Sequence, residues 1–347
     1  MNLLLYEIHD ASGIQLRFIA FEDKSNTESL FYNLFWNSTF KFSMLGTERE
    51  NLQLEKFLKP ETIERFRKTF GPIELLNYAR TIMPSILVAS NKDDYENVYL
   101  INMMKEVPHF PEDYFHYHCL RAISRSSIWT AKSVRDEERD RGVADYVFGP
   151  YTDLADYFTY GTSPRDQEKP KRIIFILTRQ MDREELLSTQ FYRHEDAKFY
   201  IMMTEKLMKA LENKEDKELL EFIKERQIEF VEDPIADISQ AAKYLTEKKG
   251  IRNVLYEVGT TTYANLLEDP DIEAPVEIIS LTVFHGKTNP IWVGKKHPSF
   301  STLQLKYDLV HQSDEYQHSD GTLRFFTFVK KGCLEKWDMK KLEDEQS

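Results

Sequence analysis

The chain has 347 residues, a length typical of about two domains, and its 41% of hydrophobic residues can form sizeable cores. A net charge of −12 argues against a nucleic-acid surface, because binding to phosphates requires a basic face. No run approaches the roughly 18 apolar residues of a membrane span, and the first residues lack the basic segment of a signal peptide. Cys119 and Cys333 give neither a disulfide framework nor metal-ligand spacing, so we expect a cytoplasmic protein.

The first third of the chain predicts an α+β domain. Two apolar runs, 3–8 and 14–20, flank the turn residues 10–13 and are typical of strands. A helix is expected to begin at Pro60. No residue of this part carries recognisable chemistry.

A segment with two prolines and mixed charge, 106–113, marks a domain boundary. We therefore divide the chain into an N-terminal α+β domain of unassigned role at 1–110, a larger domain at 111–331 and a charged tail at 332–347.

The larger domain alternates between apolar runs and helical patterns. Strands are predicted at 114–123, 144–148, 173–177, 199–203, 254–256, 278–284, 303–309 and 323–329. Helices are predicted within 205–229 and from the N-cap Asp237 to a stop at Gly250. Strands that alternate with helices and end in an antiparallel hairpin predict an α/β fold with a mixed sheet flanked by helices.

Residues 254–267 combine a buried strand, a glycine and a helix start. The strand leads into Glu257, the chain breaks at Gly259, and a helix follows. Glycine permits close approach of the backbone and a helix start leaves N–H groups unpaired, which suits a phosphate or pyrophosphate. The pattern also fits an ordinary β-turn-α connection, since one glycine is a weak phosphate signal.

Three elements follow one another in an order that resembles a known family. They are 144–156, with Gly149, Thr152 and Asp156; 170–179, with Thr178 and Arg179; and 257–261, with Glu257, Gly259 and Thr261. Together they resemble the reductase domain of riboflavin-biosynthesis pyrimidine reductases, a branch of the dihydrofolate-reductase-like fold, over 115–331. The second element is closer to dihydrofolate reductase itself.

The sequence departs from the family pattern at several points. The family's first strand ends in Ser-x-Asp-Gly, and the corresponding stretch is identified here as 124–127, which lacks the acid and the glycine. The double glycine after the family's glutamate is reduced to Val258-Gly259. Residues 1–110 lack the His-x-Glu and Pro-Cys-x-x-Cys elements of the zinc deaminase domain of bifunctional relatives, which excludes cytidine-type deamination.

The resemblance implies that the cofactor is NADPH. The residues expected to contact the dinucleotide are Gly149, Thr152, Thr178, Arg179, Gly259, Thr260 and Thr261. Within this set the helix start at Gly259 would receive the pyrophosphate, and Arg179 would meet the 2′-phosphate through its planar guanidinium. The plainer interpretations are a turn at Gly149 and a solvent-exposed arginine at a strand end.

The resemblance also assigns the substrate side of the site. Glu257 would bind the substrate or help deliver a proton, and Asp156 and Ser124 would contact the substrate. Alternatively, Glu257 caps its own helix and Asp156 is a loop or cap residue.

Two further groups of polar residues have functional and structural interpretations. His116 and His118 alternate on the predicted strand at 114–123, but no further ligands stand at useful spacing, so packing is favoured over a metal site. The basic cluster 295–297 would either meet a substrate phosphate or lie in a solvated loop.

The sequence therefore supports two functions of different classes. The first is an NADPH-dependent reductase that transfers hydride to a pyrimidine ribosylamino phosphate or related heterocycle, with a small-molecule substrate, no metal and, as the family implies, a homodimer. The second is a catalytically reduced domain that binds a nucleotide or a protein. The reductase hypothesis requires the strand ends at Gly149 and Gly259 to lie side by side on one sheet.

Overall fold

The structure is a computed structural model and describes part of the chain. The described residues are 2–9, 15–22, 68, 71, 75–89, 91, 93–100, 116, 120, 124, 126–135, 172–195, 197–213, 215–251, 253–268, 275–286, 296–317 and 321–337. The helix expected from Pro60, the strand expected at 144–148 and the tail from 338 onward lie outside these residues.

Two strands near the start of the chain form a separate antiparallel sheet. Strands β1 (Asn2–His9) and β2 (Gln15–Glu22) pair in register from Asn2 opposite Glu22 to His9 opposite Gln15. The predicted strands on either side of the turn residues are confirmed.

The rest of the described strands belong to one large sheet. They are β3 (Thr81–Ala89), β4 (Val98–Leu100), β5 (Ser126–Thr130), β6 (Arg172–Leu177), β7 (Ala197–Met202), β8 (Glu229–Val231), β9 (Val254–Tyr256), β10 (Ile278–Gly286), β11 (Tyr307–Gln312), β12 (Tyr316–Gln317) and β13 (Gly321–Lys330). Among the described residues the order across the sheet is β11-β13-β10-β3-β9-β5-β6-β7-β8, with β4 paired to β3 and β12 to β13.

The strands of this sheet are both parallel and antiparallel. The described strands from β10 through β3, β9, β5, β6 and β7 to β8 are parallel to their neighbours. Strand β13 is antiparallel to β10, and β11 is antiparallel to β13. The predicted mixed sheet with a C-terminal antiparallel pair is confirmed.

Helices follow most of the parallel strands. The described helices are α1 (Leu75–Tyr78), α2 (Arg183–Ser188), α3 (Glu205–Glu212), α4 (Lys217–Glu225), α5 (Ile238–Lys243), α6 (Thr260–Glu268) and α7 (Phe300–Leu303). Helical turns are also formed by residues 131–135, directly after β5, and by residues 333–337. No described helix has the length and apolar character that crossing a bilayer requires.

Helix α5 begins and ends where the sequence predicts. The side chain of Asp237 accepts a hydrogen bond from the Gln240 N–H at 2.9 Å and so caps the first turn. The helix continues into a π turn (Tyr244–Lys248) and stops at Gly250, which has a left-handed φ of 65°.

Side chains of successive strand residues enter two cores on opposite faces of the sheet. In β6, Ile174 and Ile176 belong to one core with Leu186 and Phe199, whereas Phe175 belongs to the other core with residues of α5 and α6. This alternation has the period of two that a strand buried on both faces requires. Both faces of the sheet are therefore covered by helices.

Three predictions about local structure or boundaries are wrong. Residues 116 and 120, which belong to the strand expected at 114–123, are helical and buried, and so is residue 124. The expected strand at 303–309 is a helix end followed by β11. Strand β3 lies between β9 and β10 in the large sheet, so the sheet-forming part begins before residue 111.

Candidate functional site

The carboxyl ends of β5 and β9 form a topological switch point. After β5 the next described strand of the chain, β6, lies beside β5 on the side away from β9. After β9 the next strand of the chain, β10, lies on the side away from β5, with β3 between β9 and β10. The two strands are themselves neighbours, with Ile128 opposite Tyr256. In open α/β sheets ligands bind in the crevice that forms outside the carboxyl ends of such strands. This crevice is the candidate site.

Two helix starts meet across the crevice. The Glu257 N–H donates to the Ile128 carbonyl at 3.0 Å, which carries the pairing of β9 with β5 to the strand end. A Cβ placed on Gly259 would lie 3.3 Å from the Ser133 hydroxyl oxygen, so the turn after β9 touches the helical turn after β5. Gly259 is exposed. Its small size therefore leaves room at two helix starts that favour an anion.

A threonine fixes the helical turn after β5. Thr130 Oγ1 accepts a hydrogen bond from the Ser133 N–H at 3.1 Å, and the two hydroxyl oxygens are 2.7 Å apart. Sequence reasoning missed both residues. The signal was present, because threonine is one of the residues preferred at helix N-caps, where its side chain accepts from a backbone N–H two or three residues later.

The residues around Gly259 are placed as predicted along the chain. Glu257 is 5% exposed at the end of β9, and Thr260 is the first residue of α6. Thr261 is exposed in the first turn of that helix. A buried carboxylate thus lies beside an exposed helix start.

Thr178 and Arg179 follow β6, the neighbour of β5. Thr178 Oγ1 accepts from the N–H groups of Gln180 and Met181 at 3.4 and 3.2 Å, so this oxygen closes the turn. Arg179 is exposed, and its Nη2 donates to the Ala236 carbonyl at 3.3 Å. No ion pair joins Arg179 to another described residue, so its guanidinium retains donors for an anion.

Ser124 lies near the amino end of β5, whereas the crevice lies at the carboxyl ends of the strands. It is fully buried and precedes the first residue of β5, whereas Glu257 and Thr178 follow the last residues of their strands. A five-residue strand spans about 16 Å, so Ser124 does not lie with Glu257 and Thr178 at the crevice, and its contact with a substrate stays a prediction.

Strand β3 is the first described strand of the large sheet, and residues 90–93 follow it directly. Asp93 has a φ of 62°, a conformation that glycine adopts readily. Its carboxylate accepts hydrogen bonds from Arg324 at 2.6 Å and Tyr95 at 3.0 Å.

Gly149, Thr152 and Asp156 lie outside the described residues. The adjacency of Gly149 and Gly259 therefore stays a prediction.

The two histidine predictions have different outcomes. His116 is helical and buried, its Nε2 lies 2.9 Å from the Ser280 hydroxyl, and burial lowers its pKa to about 3, which confirms a packing role. His118 lies outside the described residues.

His297 is 1% exposed, so it belongs neither to a solvated loop nor to a basic surface cluster with the exposed Lys296. No group of three or more potential metal ligands occurs among the described residues.

Comparison with known proteins gives structural similarities only. No family model matches the chain, and no curated protein matches it. RibD of Acinetobacter baumannii has a TM-score of 0.44 at 14% identity over 78% of this chain, which spans 63% of that protein. A pyrimidine reductase-like protein of Corynebacterium diphtheriae has a TM-score of 0.43 at 12% identity over 76% of this chain and 97% of that one.

A third similar structure is the bifunctional diaminohydroxyphosphoribosylaminopyrimidine deaminase/5-amino-6-(5-phosphoribosylamino)uracil reductase of Thermotoga maritima. Its TM-score is 0.37 at 14% identity, over 75% of this chain and 59% of that protein. The chain thus spans less than two thirds of RibD of Acinetobacter baumannii and of the Thermotoga maritima protein. At this level of similarity neither family membership nor activity follows.

Proposed function

We propose that the chain is an NADPH-dependent reductase of the riboflavin-pathway pyrimidine reductase type. Its substrate would be a pyrimidine ribosylamino phosphate or a related heterocycle. The observation that carries the proposal is the crevice at the switch point, where Gly259 and Ser133 bring two helix starts together beside the buried Glu257.

The described residues fit a dinucleotide in three respects. Gly259 leaves a space that a Cβ would fill, and the helix starts at Thr260 and after Thr130 supply N–H donors for a pyrophosphate. Arg179 follows β6, two strand spacings or about 10 Å from β9, where it can pair with a further phosphate.

The bound NADPH would supply the hydride, so the protein's part is binding, orientation and proton control. Glu257 directly follows the last residue of β9, and its burial keeps it apart from bulk water. It would hold a polar group of the heterocycle and so fix the ring relative to the nicotinamide. Arg179 and the helix starts would anchor the phosphates.

The competing function is a nucleotide-binding or protein-interaction module without turnover. The sequence features in its favour are the missing Asp-Gly after Ser124 and the additional N-terminal domain. Such a module would bind the dinucleotide and show no substrate-dependent oxidation of NADPH.

Titration of NADPH and NADH, followed by nicotinamide fluorescence, tests the proposal. Arg179→Ala should weaken NADPH binding by roughly tenfold, because a charge-assisted contact is lost, and should leave NADH binding unchanged. Glu257→Gln should retain NADPH binding and lose turnover with the substrate. Arg226→Ala is the matched control, since Arg226 pairs with Glu195 at 3.2 Å outside the crevice. Absence of binding of both dinucleotides at millimolar concentration would contradict the reductase.

A further inference from the structure

The segments that follow β5 and β6 begin side by side at the carboxyl edge of the sheet. Thr130, the last residue of β5, lies opposite Leu177, the last residue of β6. Neighbouring strands are about 5 Å apart. The helical turn at 131–135 and the turn at 178–182 therefore start next to each other.

Each of these segments carries one end of the proposed dinucleotide site. In the proposed function the pyrophosphate lies at Gly259, where an added Cβ would be 3.3 Å from Ser133 Oγ in the turn after β5. The 2′-phosphate lies at Arg179, in the turn after β6. The spacing of the two phosphate positions thus depends on how these turns are held relative to each other.

An ion pair joins the two segments. Arg135 Nη1 donates to Glu185 Oε1 at 2.5 Å, between residues that are 50 positions apart in the chain. The Glu185 side chain is only 14% exposed, so water screens this pair less than a fully exposed one. Val134 and Leu186, the neighbours of the pair in sequence, belong to the same core. Core packing is not directional, whereas a charge-assisted hydrogen bond fixes two atoms in place.

Helix α2 is in turn fixed to the end of β6. The side chain of Asp182 caps this helix by accepting a hydrogen bond from the Glu185 N–H at 3.0 Å. Thr178 Oγ1 accepts from the Met181 N–H at 3.2 Å. Arg179 lies within this hydrogen-bonded segment, so a contact that fixes Glu185 also fixes the start of the arginine side chain.

We propose that the Arg135–Glu185 ion pair sets the distance between the pyrophosphate position at Gly259 and the 2′-phosphate position at Arg179. Arg135 and Glu185 are positioning residues that favour NADPH over NADH, because only NADPH has phosphates at both positions. A ligand that must satisfy two sites at once gains affinity when their spacing is fixed in advance. This inference rests on the proposed function and adds to it the element that determines cofactor specificity.

Calorimetric titration of the full chain with four ligands tests this role. NADPH and adenosine 2′,5′-bisphosphate place phosphates at both positions, whereas NADH and adenosine 2′-monophosphate place phosphate at one. Arg135→Met keeps an unbranched side chain and removes the charge. It should weaken binding of the first two ligands by roughly fivefold and leave binding of the other two unchanged. A merely structural role would affect all four ligands alike.

Two further variants control for charge and for stability. Lys198→Met is the matched control, because Lys198 Nζ pairs with Glu229 at 2.5 Å near the amino end of β7, away from the crevice. It should bind all four ligands as the wild type does. The charge-reversed variant Arg135→Glu/Glu185→Arg should recover most of the NADPH affinity that Arg135→Glu alone loses.

Three outcomes would overturn the inference: unchanged NADPH affinity in Arg135→Met, equal losses for NADPH and NADH, or the same loss in Lys198→Met. A wild-type protein that binds neither dinucleotide would refute the reductase proposal and this inference together. Equal NADPH binding by the wild type and Arg135→Met would refute the inference alone, so the two failures are seen separately.

Discussion

Gly259 is the residue through which the candidate site is most directly tested. Its φ is not left-handed, so alanine fits its backbone, but the added Cβ would lie 3.3 Å from Ser133 Oγ. We expect Gly259→Ala to fold with a loss below about 1 kcal/mol and to bind NADPH roughly tenfold more weakly, because the methyl group fills the space between the helix starts. Chemical unfolding and fluorescence titration measure the two effects.

Ser133→Ala should restore the stability of Gly259→Ala in the double variant, since the close contact is removed. Gly250→Ala is the control, because it should change stability and not NADPH binding. Gly250 has a φ of 65° and no atom within 4 Å of the added Cβ, so alanine should cost about 1 kcal/mol through backbone strain and leave NADPH binding intact. Unchanged NADPH affinity in Gly259→Ala would argue against a pyrophosphate at this turn.

Single residues also show why part of the site was misplaced. The motif predicts a substrate contact for Ser124, but a motif does not reveal at which end of a strand a residue lies. His297 was grouped with lysines because it follows them in the sequence. Its burial follows from pairing with β4, which is remote in the chain and cannot be read from local charge.

At the scale of elements, helix α5 gives a test of capping. Asp237→Ala removes the bond to the Gln240 N–H and should lower the free energy of unfolding by about 1 kcal/mol. Asp233→Ala is the control, because its carboxylate pairs only with the exposed Lys248 and such surface pairs contribute between 0 and about 1 kcal/mol. Urea unfolding compares the two. A loss in Asp233→Ala as large as that in Asp237→Ala would show that charge and not capping is responsible.

Strands with continuous apolar runs were predicted well. The strands at 173–177 and 278–284 consist of Ile, Leu, Val and Phe with few polar residues, which is typical of strands buried on both faces. Strand β5 was missed because it begins with two serines. Ser126 donates to the Asn253 carbonyl at 3.0 Å, a contact between distant parts of the chain, and Ser127 accepts from the nearby Trp129 indole N–H at 3.0 Å. These hydrogen bonds allow the two polar side chains to be buried.

The helical residues 116, 120 and 124 were missed for a related reason. Their spacing of four is that of one helix face, but it lies within a run of residues that also alternates at a period of two. The order of strands in the sheet could not be predicted from the sequence either. It depends on the position in the sheet to which each connecting segment brings the next strand, and local patterns do not encode this position.

At the scale of the whole molecule, stability should depend on pH through buried histidines. The pKa of His116 is about 3 in the folded protein, compared with 6.5 for an exposed histidine. Between these values the unfolded chain binds a proton that the folded protein does not. Stability is therefore complete above pH 6.5 and falls as the pH decreases, by on the order of 2 kcal/mol between pH 6.5 and 5.0 for this residue.

His116→Gln should flatten this dependence, because glutamine does not titrate and can still bond to Ser280. The measurement is urea unfolding at pH 7.5, 6.0 and 5.0. His194→Gln is the control, since His194 is half-buried at the end of a short 3₁₀ turn. Identical pH slopes for His116→Gln and the wild type would show that other groups dominate acid unfolding.

The position of β3 has a consequence for how the protein is made. This strand leaves the ribosome early, yet both of its long-range neighbours, β9 and β10, come from residues 254–286. During most of synthesis β3 therefore cannot pair with these two strands. Its apolar residues stay exposed until residues 254–286 have been made. Such non-local pairing slows folding and leaves strand edges prone to association. We expect chains that stop before residue 254 to require a chaperone or to aggregate.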